Sequence, residues 1–252
     1  MSSTTLRSTT TARSNGGAVL AGRTTLLATA LLSSVSMLAA WPLALMAVPQ
    51  SGPWCREARC VTYPFTDAEY RVIDFAWMYP AILGLAAFAV LIALLDSGAT
   101  HRRAAARLAR LTCEYGVGIL VITYALQLMV VQPGIIKGEQ EALSFWTQYN
   151  PHGGFVALEN LGYLMLCVGL IAIARTVPGR GAGRRTVRLT AGGLGALGVL
   201  LLPVMASLLG SRLEYLYEVS VISLVWVGII VVAPLLALTL PARPDAEGVT
   251  AP

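Results

Sequence analysis

Six stretches of this chain run for about twenty residues or more with at most one charged side chain each, the length a helix needs to cross a bilayer. The spans predicted are Thr24–Val48, Phe75–Leu95, Leu111–Val131, Phe155–Ala174, Leu189–Leu209 and Val219–Leu240. The expected fold class is therefore all-α: a polytopic membrane protein, a bundle of six transmembrane helices. Composition agrees, with 56% hydrophobic and 12% charged residues where soluble domains carry about 25% charged. The connections are short, so no soluble domain is inserted. Residues 1–23 and 241–252 read as disordered tails flanking a transmembrane domain over 24–240.

Charge gives the orientation. Arg clusters at 7–23, 102–110, 175–188 and 243 fall on one side, and only Arg56, Arg59, Arg71, Lys137 and Arg212 of the 18 basic residues fall on the other. Short Arg-rich loops stay inside, so both N and C termini are expected in the cytoplasm. All basic residues but Lys137 are Arg, amid much Ala, Gly and Leu, the bias of a GC-rich bacterial genome. The predicted location is a bacterial cytoplasmic membrane. A cleaved secretory signal is the rival reading of the first span, with Ala39-Ala40 as the small-residue site; the apolar run continues through PLALMAV, longer than a signal core, which favours a retained helix.

Nothing points to nucleic acid: aromatic-basic interleaving, zinc-finger spacing and phosphate-cradling loops are all missing. The expected partner is the lipid bilayer, with a small-molecule ligand, and no cofactor or metal is expected. Cys55 and Cys60, in WCREARC of the first outer loop, read as a disulfide staple. As a redox pair they have four residues between them rather than two and lack a second outer pair. Cys113 and Cys167 read as packing residues. The Gly-rich fifth span, LTAGGLGALG, sets Ala191 with Gly195 and Gly192 with Ala196 at the four-residue spacing of close helix approach, within the bundle or against a second copy or partner subunit. Pro42 and Pro203 are candidate kinks.

Acidic residues near helix starts need no function, because they cap free N–H groups and suit the helix dipole. Thr66-Asp67-Ala68-Glu69 and Ser211-Arg212-Leu213-Glu214 read as capping boxes, and Asn150-Pro151 as a cap followed by proline. Three carboxylates remain: Asp74, Glu159 and Glu218, each well past its expected cap. Asp74 and Glu218 each precede an apolar run long enough to span alone, so they suit the outer interface. Glu159 does not: Arg175 follows sixteen residues later, about 24 Å along the axis, against a hydrocarbon core of about 30 Å. A charge there is costly and marks a functional candidate or a buried polar network, with Arg71 or Arg212 as a candidate partner. Helical spacing aligns Glu159 with His152 and Tyr163 and sets Asn160 beside them. Thr123, Tyr124 and Gln127 add polarity in the same half of the third span.

The resulting expectation is an outward-facing polar pocket that binds or transports a small solute or proton, built from Glu159, Asn160, Tyr163, His152, Asp74, Glu218 and Arg71. Two other classes stay open: a membrane-embedded enzyme, thiol-redox through Cys55 and Cys60 or metal-linked through His152, and a structural or partner subunit without chemistry. Protease and hydrolase motifs are absent from the sequence.

Overall fold

The computed structural model describes residues 7–47, 49–52, 55, 60–96, 103–139, 143–177, 181–210 and 213–239. Among them are eight α-helices and one π-helical turn: α1 (Arg7–Met46), α2 (Val72–Ala76), α3 (Met78–Asp96), α4 (Arg103–Leu126), the π turn Gln127–Val131, α5 (Gln132–Lys137), α6 (Gly154–Thr176), α7 (Ala182–Leu209) and α8 (Leu213–Thr239). Six helical stretches are long and apolar enough to cross a membrane: Gly22–Met46, Val72–Asp96, Ala104–Lys137, Gly154–Thr176, Ala182–Leu209 and Tyr215–Thr239. Each contains or overlaps a predicted span. α1 starts at Arg7, inside the stretch assigned to the N-terminal tail.

Prolines explain where two spans change geometry. Pro80 has no N–H to give the Ala76 carbonyl four residues back, and the second span breaks at Trp77 between α2 and α3. Pro133 likewise cannot bond to Met129, and the wide π turn sits immediately before it.

Consecutive spans pack side by side, and the last returns to the first. The Ser34 hydroxyl of α1 donates to the Ile230 carbonyl of α8 at 3.2 Å, and Ser33 donates to the Gly84 carbonyl of α3 at 2.8 Å. α4 and α6 meet through glycine: a side chain at Gly116 would come within 2.9 Å of the Gly162 carbonyl. α7 is the least buried span, and its Gly192, Gly195 and Gly198 pack against α6 of the same chain. A side chain at Gly195 would overlap the Cys167 carbonyl, and one at Gly198 would overlap the Cys167 sulfur. Cys113 and Cys167 are free and buried.

A carbonyl cannot move aside as a side-chain tip can. Gly195→Val is therefore expected to destabilise the bundle by roughly 1–3 kcal/mol, the usual cost of overpacking. Gly193→Val, which meets nothing within 4 Å, serves as the control. Thermal melting in detergent separates them, and equal melting of both variants would remove Gly195 as a packing contact.

Cys55 and Cys60 are disulfide-bonded, with Cα atoms 5.9 Å apart. Their neighbours Arg56 and Arg59, the partner candidate Arg212, the capping box at Ser211–Glu214 and the C-terminal tail lie outside the described residues or side chains.

Candidate functional site

α1 ends, and α2, α6 and α8 begin, at one end of the bundle, here the upper end. All three carboxylates lie there, although two expected helix starts shift. The Thr66–Glu69 capping box does not form: α2 starts at Val72 after an extended Arg71. The Glu69 backbone instead pairs with the Gln50 amide, whose nitrogen donates to the Glu69 carbonyl at 2.8 Å and whose oxygen accepts from the Glu69 N–H at 2.9 Å. Asn150-Pro151 does not start α6 either. The Asn150 side chain accepts from the His152 N–H at 3.0 Å in a local turn, and Gly153, in extended conformation, precedes the helix.

These shifts change the setting of each acid. Asp74 stands in the first turn of α2, where the helix dipole favours negative charge. Glu159 and Glu218 each sit five residues into their helices, about 7.5 Å down the axis, beyond the first turn and at matching depth. All three are buried, at 3%, 1% and 8% exposure respectively.

Asp74 is tied by one oxygen. Its Oδ2 accepts from Arg71 Nε at 2.9 Å, Gln50 Nε2 at 3.0 Å and the Tyr149 hydroxyl at 2.7 Å, and Arg71 Nη2 lies 2.8 Å away. Oδ1 is buried without a hydrogen-bond partner. The backbone carbonyl of Asp74 accepts from the Trp77 indole at 3.0 Å and from Gln148 at 3.3 Å. Burial, with the Asp74 carboxylate beside it, pushes the Tyr149 phenol well above its ordinary range, so it remains a donor. Tyr149 thereby fixes the 143–153 segment to α2. Gln127, in the π turn, holds the same segment by donating to the Trp146 carbonyl and accepting from the Gln148 N–H at 3.1 Å.

Glu159 ends a relay of hydrogen bonds. The Trp226 indole, a donor only, gives its proton to the Tyr163 hydroxyl at 2.7 Å. Tyr124 donates to Glu159 Oε1 at 2.6 Å. The 2.8 Å contact between Tyr163 and Tyr124 must then run from Tyr163 to Tyr124, because each hydroxyl has one proton. Glu218 of α8 joins Glu159 of α6 in the wall of the same cavity.

Asp74, Glu159 and Glu218 all line one cavity of about 210 Å³. Most of its remaining wall is apolar or aromatic, including Trp41, Trp77, Phe155 and Trp226. No Arg, Lys or His is among the described residues that line it. Leu45 of α1 and Val219 of α8 both line the cavity and are exposed. The cavity therefore opens on the flank of the bundle between α1 and α8. No family model, curated protein or solved structure matches this chain.

The other predicted site residues separate from this group in different ways. Tyr163 is buried behind Glu159 in the relay. Arg71 contacts the site through Asp74 and not Glu159. Asn160 points away from the cavity, with a buried side-chain oxygen that has no partner. His152 is exposed in the turn before α6, so its helical alignment with Glu159 does not occur. Among the described residues, no three His, Cys, Asp or Glu side chains converge closely enough to hold a metal ion. Cys55 and Cys60 do not line the cavity.

Gln50, Tyr149, Trp41 and the three-way convergence itself carry no local sequence signal. Tyr124 had one: a polar residue in the same half of the third span as Glu159.

Proposed function

We propose that this protein is a multi-pass protein of a bacterial cytoplasmic membrane, with both ends inside, that binds a small solute in its upper cavity and couples that binding to a proton held between Glu159 and Glu218. The observation that carries this reading is the meeting of buried carboxyls from three separate helices at one cavity that opens to the surface. A structural network needs acids matched to bases. Here Arg71 pairs with Asp74, while Glu159 and Glu218 line the cavity with no basic side chain among its described lining residues. Two buried carboxyls in one cavity wall disfavour ionising together, so the pair is a natural proton holder.

Among the described residues, the titratable neighbours of the pair are few. α4 presents Tyr124, α6 presents Tyr163, and the upper segments present Asp74 with its Arg71, Tyr149 and Tyr215. α1 presents only Trp41, Ala44 and Leu45 to the cavity. The carboxyl pair is thus the group that exchanges a proton without a fixed counter-charge.

The test is solute binding or uptake as a function of pH, in wild type and in Glu159→Gln. Gln keeps an acceptor for Tyr124 and supplies an N–H toward Glu218, so the packing is preserved while one carboxyl of the pair is removed. The expected result is a pH-dependent affinity in wild type whose midpoint moves in the variant, where Glu218 is left as a single carboxyl. An unchanged pH profile in Glu159→Gln would rule out the coupling.

A further inference from the structure

We infer that the solute taken by the upper cavity is a small organic monocation: an ammonium group carried on an apolar body. This rests on the solute-binding reading above and narrows it to a chemical class.

The charge of the wall comes first. Every ionisable acid or base lining the cavity, tyrosines aside, is a carboxyl group, and no basic side chain lines it among the described residues. Arg71 balances Asp74. Glu159 and Glu218 line the same wall with no basic side chain beside them among the described residues. The cavity is thus lined by acids in excess of bases among the described residues.

Hydrogen bonding points the same way. Asp74 crowds its donors onto Oδ2 and leaves Oδ1 buried and without a partner, on a residue that is 3% exposed and lines the cavity. A carboxylate oxygen is only an acceptor. Leaving one buried and unmet costs free energy that a donor from a ligand would restore. An anion or an acceptor-only solute would meet nothing but repulsion there.

The rest of the wall identifies the body of the ligand. Trp41, Trp77, Phe155 and Trp226 offer aromatic rings, and Trp77 and Trp226 stand with centroids 5.9 Å apart. Aromatic faces attract ammonium groups and accept apolar groups equally well. A bare metal ion fits poorly, because the carboxylates surround the space without converging on a point. The volume of about 210 Å³ lies below the ~300–1,000 Å³ of sites for drug-sized molecules, which limits the ligand to a small amine. Protons compete for the same carboxyl pair, so cation affinity should fall as pH falls.

Three probes of nearly equal shape and different charge test this: benzylammonium, benzyl alcohol and benzoate. Binding to the full-length protein in nanodiscs is read by calorimetry and by the fluorescence of the cavity tryptophans. Benzylammonium is expected to bind saturably, at least tenfold more tightly than the other two, and to lose tenfold or more of its affinity in the double variant Glu159→Gln/Glu218→Gln, which removes both carboxyls. Melting of the variant shows whether it is folded. A second variant, Ser223→Phe, narrows the cavity without touching a carboxyl and should weaken benzylammonium as well. If benzyl alcohol or benzoate binds as tightly as benzylammonium, the cation assignment fails and the solute-binding reading survives. If none of the three binds, both fail.

Discussion

Asp74→Ala is expected to lower the stability of the folded bundle by roughly 3 kcal/mol, the low end of the range for breaking a buried ion pair. The low end applies because Arg71 keeps about a third of its side chain exposed and can turn to water, whereas Asp74 is buried. Gln50 loses one of three partners for its amide nitrogen and keeps the Glu69 carbonyl and Tyr149. Tyr149 loses the acceptor for its hydroxyl. The loss should therefore concentrate in the 143–153 segment, which Tyr149 pins to α2. Asp74→Asn keeps an acceptor at the same place and should cost markedly less. Denaturation in detergent gives the global figure, and hydrogen exchange across 143–153 gives its location. Wild-type melting of Asp74→Ala would show that the cluster adds nothing to stability.

Glu159 should divide cleanly by substitution. Glu159→Leu strands two groups, the Tyr124 hydroxyl and the Glu218 carboxyl, and is expected to cost roughly 3 kcal/mol, about 1–3 kcal/mol for each buried polar group left unmet. Glu159→Gln satisfies both and should melt within about 1 kcal/mol of wild type. The separation matters for function: the Gln variant is stable enough to test the proton, while the Leu variant reports the relay. Tyr124→Phe in the Leu background should recover little, because the buried Tyr163 hydroxyl that donated to Tyr124 is then stranded in its place. If Leu and Gln melt alike, the relay from Trp226 through Tyr163 and Tyr124 does not hold α4, α6 and α8 together.

Much of this architecture was legible in the chain. Lipid requires long apolar helices, so the six spans follow from hydropathy alone, and Glu159 stood out because Arg175 limits how far it can rise. The helix starts were less legible, for a local reason. Thr66–Glu69 has the residues of a capping box, but Gln50, far away in sequence, takes the Glu69 backbone for itself. Asn150 makes the turn its type favours, three residues ahead of the helix it was expected to cap. The pairing of Glu159 with Glu218 was beyond reach for a different reason. Equal depth in α6 and α8 follows from where the helices begin, but their facing depends on rotation and packing, which no pattern within either helix encodes. His152 is the opposite error: helical spacing was extended past a helix that had not yet started.

The closure of α8 onto α1 bears on how such a protein is made. Chains enter a membrane in order of synthesis, and the cavity takes Trp41 from the first span and Glu218 and Trp226 from the last. On the membrane reading proposed above, a nascent chain that has delivered α1 through α7 holds Glu159 without the Glu218 carboxyl that shares its cavity. Its site is completed only by the arrival of α8. Until then Glu159 keeps its hydrogen bond from Tyr124, and the flank of α1 where the last helix will dock stands uncovered.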